Sequence, residues 1–299
     1  MAVDAGIKDR GADRAFSIIN YVILLLFFLA VAYPLIYVVS ASFSDPSAVI
    51  SGRMWLWPVD VTTNGYRAVF ENNKVVTGFR NSLFYTVAGT FVSVVLTILA
   101  AYPLSRRDLA GRHIIMGLFL FTMLFNGGLI PTYLTVRALG MLNTPLAIII
   151  PTALSVYNMI ITRTFFQTTI PSEMLEAAQL DGCSDFRFVR DMVIPLSGPI
   201  IAVNALFYAV AQWNSYFSAL IYLTNQSLFP LQLILREVLV QNQVDMSQIG
   251  DVGKIYQRQQ LADLLKYSLI VVASVPVLII YPFVQKHFVR GVMIGSLKG

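Results

Sequence analysis

The chain has 299 residues, 57% of them apolar and only 12% charged, with a mean hydropathy of +0.69. Soluble domains carry about a quarter charged residues, so water is excluded as the solvent for most of this chain. The net charge of +5 is dispersed among apolar blocks with no continuous basic stripe, which argues against nucleic acid as a partner.

In chain order, the first apolar run covers residues 16–42. It exceeds the core of a signal peptide and lacks a small-residue cleavage site, so it is expected to be an uncleaved spanning helix. Further runs at 81–104, 114–136, 145–162, 199–223 and 268–285 each approach the ~20 residues needed to cross ~30 Å of hydrocarbon. The expectation is an all-α integral membrane protein with six transmembrane helices. The third span is interrupted by Asn126, Gly127, Gly128 and Pro131 and should be a broken helix whose freed backbone groups need neighbouring protein.

Six spans put both termini on one side. Lys8, Arg10 and Arg14, then Arg106, Arg107 and Arg112, then Lys286, Arg290 and Lys298 all fall there, and short basic segments mark the cytoplasm. The resulting division is a cytoplasmic segment at 1–15, a transmembrane domain at 16–286 and a cytoplasmic tail at 287–299. Three connections are long enough to demand a functional reason. Two should face outward as docking surfaces: 43–80, bearing Trp55, Trp57 and Pro58, and 224–267, with a short helix at 231–240. The third, at 163–198, should face the cytoplasm.

Within that third loop, Pro171 to Gly182 has the marks of a short helix with defined ends. Ser172 is placed to cap it, Glu173 and Glu176 suit the positive end of its dipole, and Gly182 supplies a left-handed stop. Ser184 and Asp185 then open a second helix carrying Phe186, Phe188 and Val189, which should end near Pro195. Ala177 and Ala178 share a face with Met174, where small side chains allow another backbone to approach. Composition and periodicity alone also suit a solvated amphipathic connector.

Glu176-Ala177-Ala178, Gly182 six residues after Glu176, and Ile194-Pro195 resemble the EAA loop of binding-protein-dependent ABC importer permeases. In that family EAA is followed by three residues, Gly, nine residues and Ile-x-Leu-Pro; here Met192 and Ile194 stand at the Ile and Leu positions. The similarity extends over all six spans and the tail from Phe288-Val289-Arg290-Gly291 to Lys298-Gly299, and is closest to the maltose-type carbohydrate-uptake permeases. The resemblance implies a type I importer permease fold in a bacterial cytoplasmic membrane, with a sugar or oligosaccharide as cargo. It implies that 172–194 forms a coupling helix seated in a cleft of a separate ATPase. There Glu176 would pair with a basic residue, Ala177 and Ala178 would pack against the partner, and Asp181, Gly182 and Pro195 would complete the coupling set. The implied partners are a second permease subunit, giving a heterodimer, two ATPase subunits, an extracytoplasmic solute-binding protein and membrane lipid. ATP and Mg would sit on the ATPase, with no cofactor on this chain. The tail after Lys286 would also touch the ATPase, and the loop around 236–258 would reach toward the binding protein.

Gly250-Asp251-Val252-Gly253-Lys254-Ile255 fails as a phosphate-binding loop, because the glycines are too close and no Ser or Thr follows the lysine. The predicted spans contain no Asp, Glu, Lys or Arg, which counts against proton coupling. Span five carries Asn204, Tyr208, Gln212, Asn214 and Ser215 on the side opposite Trp213. These residues suit a translocation path, or equally interhelical hydrogen bonds worth about 0.6 kcal/mol each; Asn126 and Asn158 carry the same two readings. A membrane transferase would need acidic or histidine residues clustered at an interface. None is visible, so the chain is not expected to be an enzyme. Cys183 is the single cysteine, and His113 and His287 stand far apart, so neither a disulfide nor a metal site is expected.

Overall fold

The computed structural model describes residues 11–244 and 265–282, which are helical with no strand among them. Lys8, Arg10, the 250–255 turn, the 287–299 tail with its basic residues and most of the 236–258 loop lie outside the described residues. The chain divides into two compact units. One comprises the residues up to Val69 with Gln241–Val272, the other Phe70–Val240 with the residues from Ala273.

In the first unit α1 (Gly11–Ser42) exposes apolar side chains around its whole circumference, as a helix surrounded by lipid or by partner helices must. The 43–63 stretch that follows is a compact knot and not an open loop. Asp45 caps α2 (Pro46–Ile50) by accepting from the Ser47 amide at 2.9 Å, and Thr62 N donates to Phe43 O at 2.8 Å. Ser42 and Tyr66 share a 2.7 Å hydroxyl hydrogen bond, Tyr66 lying on α3 (Asn64–Glu71). Trp55 and Trp57 stay exposed on this knot.

The second unit is organised around α4 (Asn73–Ser105), which at 33 residues is about 50 Å long. It starts ahead of the predicted span because Asn72 caps it, accepting from Lys74 N at 3.0 Å. The expected break in the third span is present: α5 (Arg112–Leu124) and α6 (Leu129–Ala138) meet at 113°. Gly128 turns the corner at φ +87° and its amide bonds Asn126 Oδ1 at 2.8 Å.

Two further spans expected to be continuous are also in pieces. The 145–162 run is α7 (Leu146–Ile149) and α8 (Val156–Thr169), separated by an irregular stretch; the 199–223 run stops and restarts, as shown below. After α8 come α9 (Ser172–Leu180), α10 (Asp185–Leu196), α11 (Gly198–Trp213), α12 (Phe217–Tyr222), α13 (Leu231–Val244) and α14 (Leu265–Pro282). The helix predicted at 231–240 is therefore real and longer. Only α1, α4 and α14 are single helices long and apolar enough to span among the described residues.

Broken spans leave backbone groups without partners at membrane depth, and neighbouring side chains must satisfy them. Tyr208 on α11 does so for the break before α8. Its hydroxyl accepts from Ser155 N at 3.1 Å and shares a 2.7 Å hydrogen bond with Thr97 Oγ1 of α4. Above and below it, Asn204 Nδ2 donates to Thr162 Oγ1 at 2.6 Å and Gln212 Nε2 to Thr152 Oγ1 at 3.3 Å. Gln212 occupies the space a side chain at Gly89 would need, 2.8 Å from where its Cβ would sit, so α4 and α11 approach closely there. At the start of α4, Ser82 Oγ accepts from Leu231 N at 2.8 Å and Asn81 Nδ2 donates to the carbonyls of Ser227 and Phe229.

Tyr208→Phe should cost roughly 1–3 kcal/mol, because it takes the partner from the buried Thr97 hydroxyl as well as from the half-buried Ser155 amide. The check is the thermal inactivation midpoint in detergent, with exposed Asn214→Ala, which loses only a bond to its own helix at Val210 O, as the variant that should leave it unmoved.

Candidate functional site

The 163–198 loop folds as two helices joined by a tight turn. Pro171 occupies the N-cap position in an extended conformation, with no side-chain cap bond, so Ser172 is the first helical residue and not the cap expected of it. Glu173 supplies the negative charge of the first turn. The helix stops where predicted: Gly182 takes φ +72°, its amide bonds Gln179 O at 3.0 Å, and Cys183 N bonds Ala178 O at 2.9 Å. No atom lies within 4 Å of a Cβ placed on Gly182, so the demand for glycine comes from the backbone and not from crowding.

Ser184 caps α10, accepting from Arg187 N at 3.4 Å. The helix then widens into a π turn over Val189–Val193, where Ile194 N bonds Val189 O. Pro195 explains the widening, since it has no N–H to continue a regular helix and its ring would clash with the carbonyl one turn back. The helix consequently runs past Pro195 to Leu196.

The two faces of the loop differ. Met174, Leu175, Ala178 and Cys183 pack against a core built on Tyr102, Phe166 and Phe188. Tyr102 lies 6.5 Å from each of the other two rings, joining α4, α8 and α10. Ala177 and Ala178 differ in setting: Ala178 is half-buried against the protein's own core, and Ala177 faces out. Beside Ala177 on the exposed side stand Glu173, Glu176 and Asp181, with Leu180 91% exposed and Phe186 76% exposed. Glu176 makes no ion pair with any described residue.

Above the loop, the end of α4 is held by basic and amide side chains. Arg163 Nε donates to Leu104 O at 2.8 Å and Gln167 Nε2 to Ser105 O at 3.3 Å, covering carbonyls that a helix end leaves without partners. Arg106 grips Asp108 with two hydrogen bonds, from Nε at 2.9 Å and Nη2 at 2.5 Å, and reaches Asp185 with Nη1. Its guanidinium holds the Asp108 carboxyl below the usual carboxylate range, and the two carboxylates raise the pKa of Arg106. Arg112 Nη1 closes the 106–112 loop by donating to Arg106 O at 3.1 Å. A cavity of about 760 Å³ separates this loop from α9, lined by Tyr102, Arg106, Arg107, Glu173, Glu176 and Phe188 among others.

Of the polar residues predicted in span five, Asn204, Tyr208 and Gln212 form one buried stripe against α4 and α8. Asn214 and Ser215 do not join them; they lie in the break between α11 and α12, where Asn214 is exposed. In the sequence Arg106 stands out only as a topological charge and Arg163 only as a loop boundary. Arg106 and Asp185 are 79 residues apart, and no periodicity connects them. Among the described residues no group of three metal-ligating side chains exists.

Residues 75–294 match the family described as binding-protein-dependent transport system inner membrane component. The chain is 43% identical over 290 residues to the polygalacturonan/rhamnogalacturonan transport system permease protein YtcP of Bacillus subtilis (strain 168), covering 96% of this chain and 99% of that one. It is 38% identical over 288 residues to protein LplC of the same organism, covering 96% of each. Among solved structures, a chain of a bacterial ABC transporter involved in the import of the acidic polysaccharide alginate superposes with a TM-score of 0.87 at 34% identity, covering 95% of this chain and 100% of that one.

Two outcomes are expected from the loop geometry. Gly182→Ala should lower stability by about 1–2 kcal/mol through the left-handed backbone alone, and Gly182→Asn by less, as read by thermal unfolding. The depressed pKa of Asp108 stabilises the folded state above the carboxylate's unfolded pKa, and that contribution is lost as pH falls through the folded value. The Tm difference between wild type and Asp108→Asn should therefore be present at pH 7 and vanish in acid.

Proposed function

Because this chain belongs to the family of binding-protein-dependent transport system inner membrane components, we propose that it imports acidic oligosaccharides by alternating access, driven through the 172–194 loop. It is a multi-pass permease subunit of an ATP-driven importer, and ATP hydrolysis falls to a separate ATPase. The cargo reading is supported by the names of its relatives, which concern polygalacturonan, rhamnogalacturonan and alginate.

The observation that carries the coupling reading is the exposed face of the loop. Leu180 and Phe186 project from its tip on either side of the Gly182 turn, with Glu173, Glu176 and Ala177 alongside. Two large apolar side chains exposed at the tip of the loop suit a partner surface. In this reading the ATPase supplies it, with a basic residue opposite Glu176 and with ATP and Mg bound in the ATPase itself. Asp181, Gly182 and Pro195 set the turn and the π-widened second helix that present this face. The loop and both termini are cytoplasmic, the 16–286 domain spans, and 287–299 lies along the ATPase. A second permease subunit completes the pathway, and the opposite side receives a solute-binding protein. Asn214 and Ser215, at the break between α11 and α12, line the path, while Asn204, Tyr208 and Gln212 hold its wall together. Nucleotide and loaded binding protein drive the cycle by binding its conformations with different affinities.

The test is co-purification. The wild-type chain should bring down an ATPase and a second permease, and Glu176→Lys should weaken that association by opposing like charges. Gly182→Trp should retain ATPase activity and lose uptake of a galacturonan oligosaccharide. Unchanged co-purification with Glu176→Lys removes Glu176 from its role, and intact transport by Gly182→Trp overturns the coupling assignment.

A further inference from the structure

Resting on the coupling reading above, we propose that the Arg106–Asp185 ion pair is a transmission strut: it makes α4 follow the coupling loop when the ATPase moves it. The loop touches the end of α4 by two routes. The apolar one runs through the rings of Tyr102, Phe166 and Phe188. Between the 172–194 segment and the 105–112 segment the polar route is a single guanidinium, with a cavity of about 760 Å³ open between α9 and residues 105–112, while Arg163 and Gln167 bond the last carbonyls of α4 from α8.

Arg106 suits this task by position and by shape. It is the first residue past α4, so its backbone moves with the helix, and Asp185 is the first residue of α10, so its backbone moves with the loop. The side chain of Arg106 is only 14% exposed, in contrast to its carboxylate partners. Gripping Asp108 with two bonds fixes the plane of the fork and leaves Nη1 aimed at Asp185. A lysine, with a point charge on a flexible stem, would hold the charge without the direction. Arg112 to Arg106 O and Arg163 to Leu104 O stiffen the strut's foot on the α4 side. The opposite end of α4 holds the segment before α13 through Asn81, Ser82 and Tyr85, so a displacement delivered at Arg106 arrives there along one unbroken helix. An exposed ion pair contributes little to stability; as a strut its worth is geometric. Arg106 and Asp185 are positioning residues and touch no cargo.

The experiment uses the assembled transporter in proteoliposomes, with spin labels at Leu99→Cys on α4 and Arg187→Cys on α10 in a Cys183→Ser background. In the wild-type frame the interlabel distance should stay single and narrow with and without ATP, since the two helices travel together. Asp185→Asn, which keeps the Arg106–Asp108 grip, should broaden or split it on ATP addition, and Asp185→Glu should restore it. In the unlabelled complex, Asp185→Asn should leave ATP hydrolysis intact and lower uptake of galacturonan oligosaccharide per ATP by about fivefold. An unchanged distance distribution in Asp185→Asn overturns the strut, as does a parallel loss of hydrolysis and uptake, which marks a merely structural bond. Absence of ATP-driven uptake by the unlabelled wild-type complex overturns the coupling reading instead, and the strut with it.

Discussion

The structure of the second unit depends on α4 remaining one continuous helix while its neighbours break. Its 33 residues are long enough to cross the hydrocarbon core as one helix, whereas the apolar runs around it are divided into α5 and α6, α7 and α8, and α11 and α12. A continuous helix pairs its interior backbone groups within itself, and in α4 the one interruption, Pro103, falls in the last turn. That self-sufficiency lets it serve as the surface on which the broken segments satisfy theirs.

Polar residues in an apolar chain acquire their meaning from this arrangement. Thr97, Tyr208 and Ser155 form one hydrogen-bonded node among α4, α11 and the capped start of α8, and Thr162 and Asn204 form another. Each joins hydroxyl or amide groups that have no alternative in a lipid solvent. The irregular stretch before α8 is tolerated because a tyrosine hydroxyl reaches its free amide. The bend at Gly128 is tolerated because Asn126 folds back on the turn it starts. Hydrogen bonding thus decides where the spans break as much as where they join.

At the end of α4 the balance shifts from hydroxyls to charges. Arg163, Gln167, Arg106 and Arg112 converge on its last carbonyls and on two aspartates, so residues far apart in the chain fasten the 163–198 loop to the end of α4. The positive side chains meet the negative end of the helix dipole there. The loop beneath is held from inside by Met174, Leu175, Ala178 and Phe188, and its outer face is exposed.

The sequence by itself determined the membrane setting, the helical class, the break at Gly127 and Gly128 and the two-helix loop with its left-handed stop at Gly182. Each of these is local: apolar run length, a glycine pair or a spacing of cap and stop that acts within a few turns of chain. Tertiary structure alone decided that Ala178 turns inward while Ala177 turns out, and that Pro171 displaces Ser172 from the cap. It alone decided that the spans at 145–162 and 199–223 break, and that Asn204, Tyr208 and Gln212 bond to α4 and α8 while Asn214 stands apart. The physical reason is that a polar residue in a span declares only that it needs a partner. Which partner it finds, like the pairing of Arg106 with an aspartate 79 residues away, is settled by which helices pack side by side.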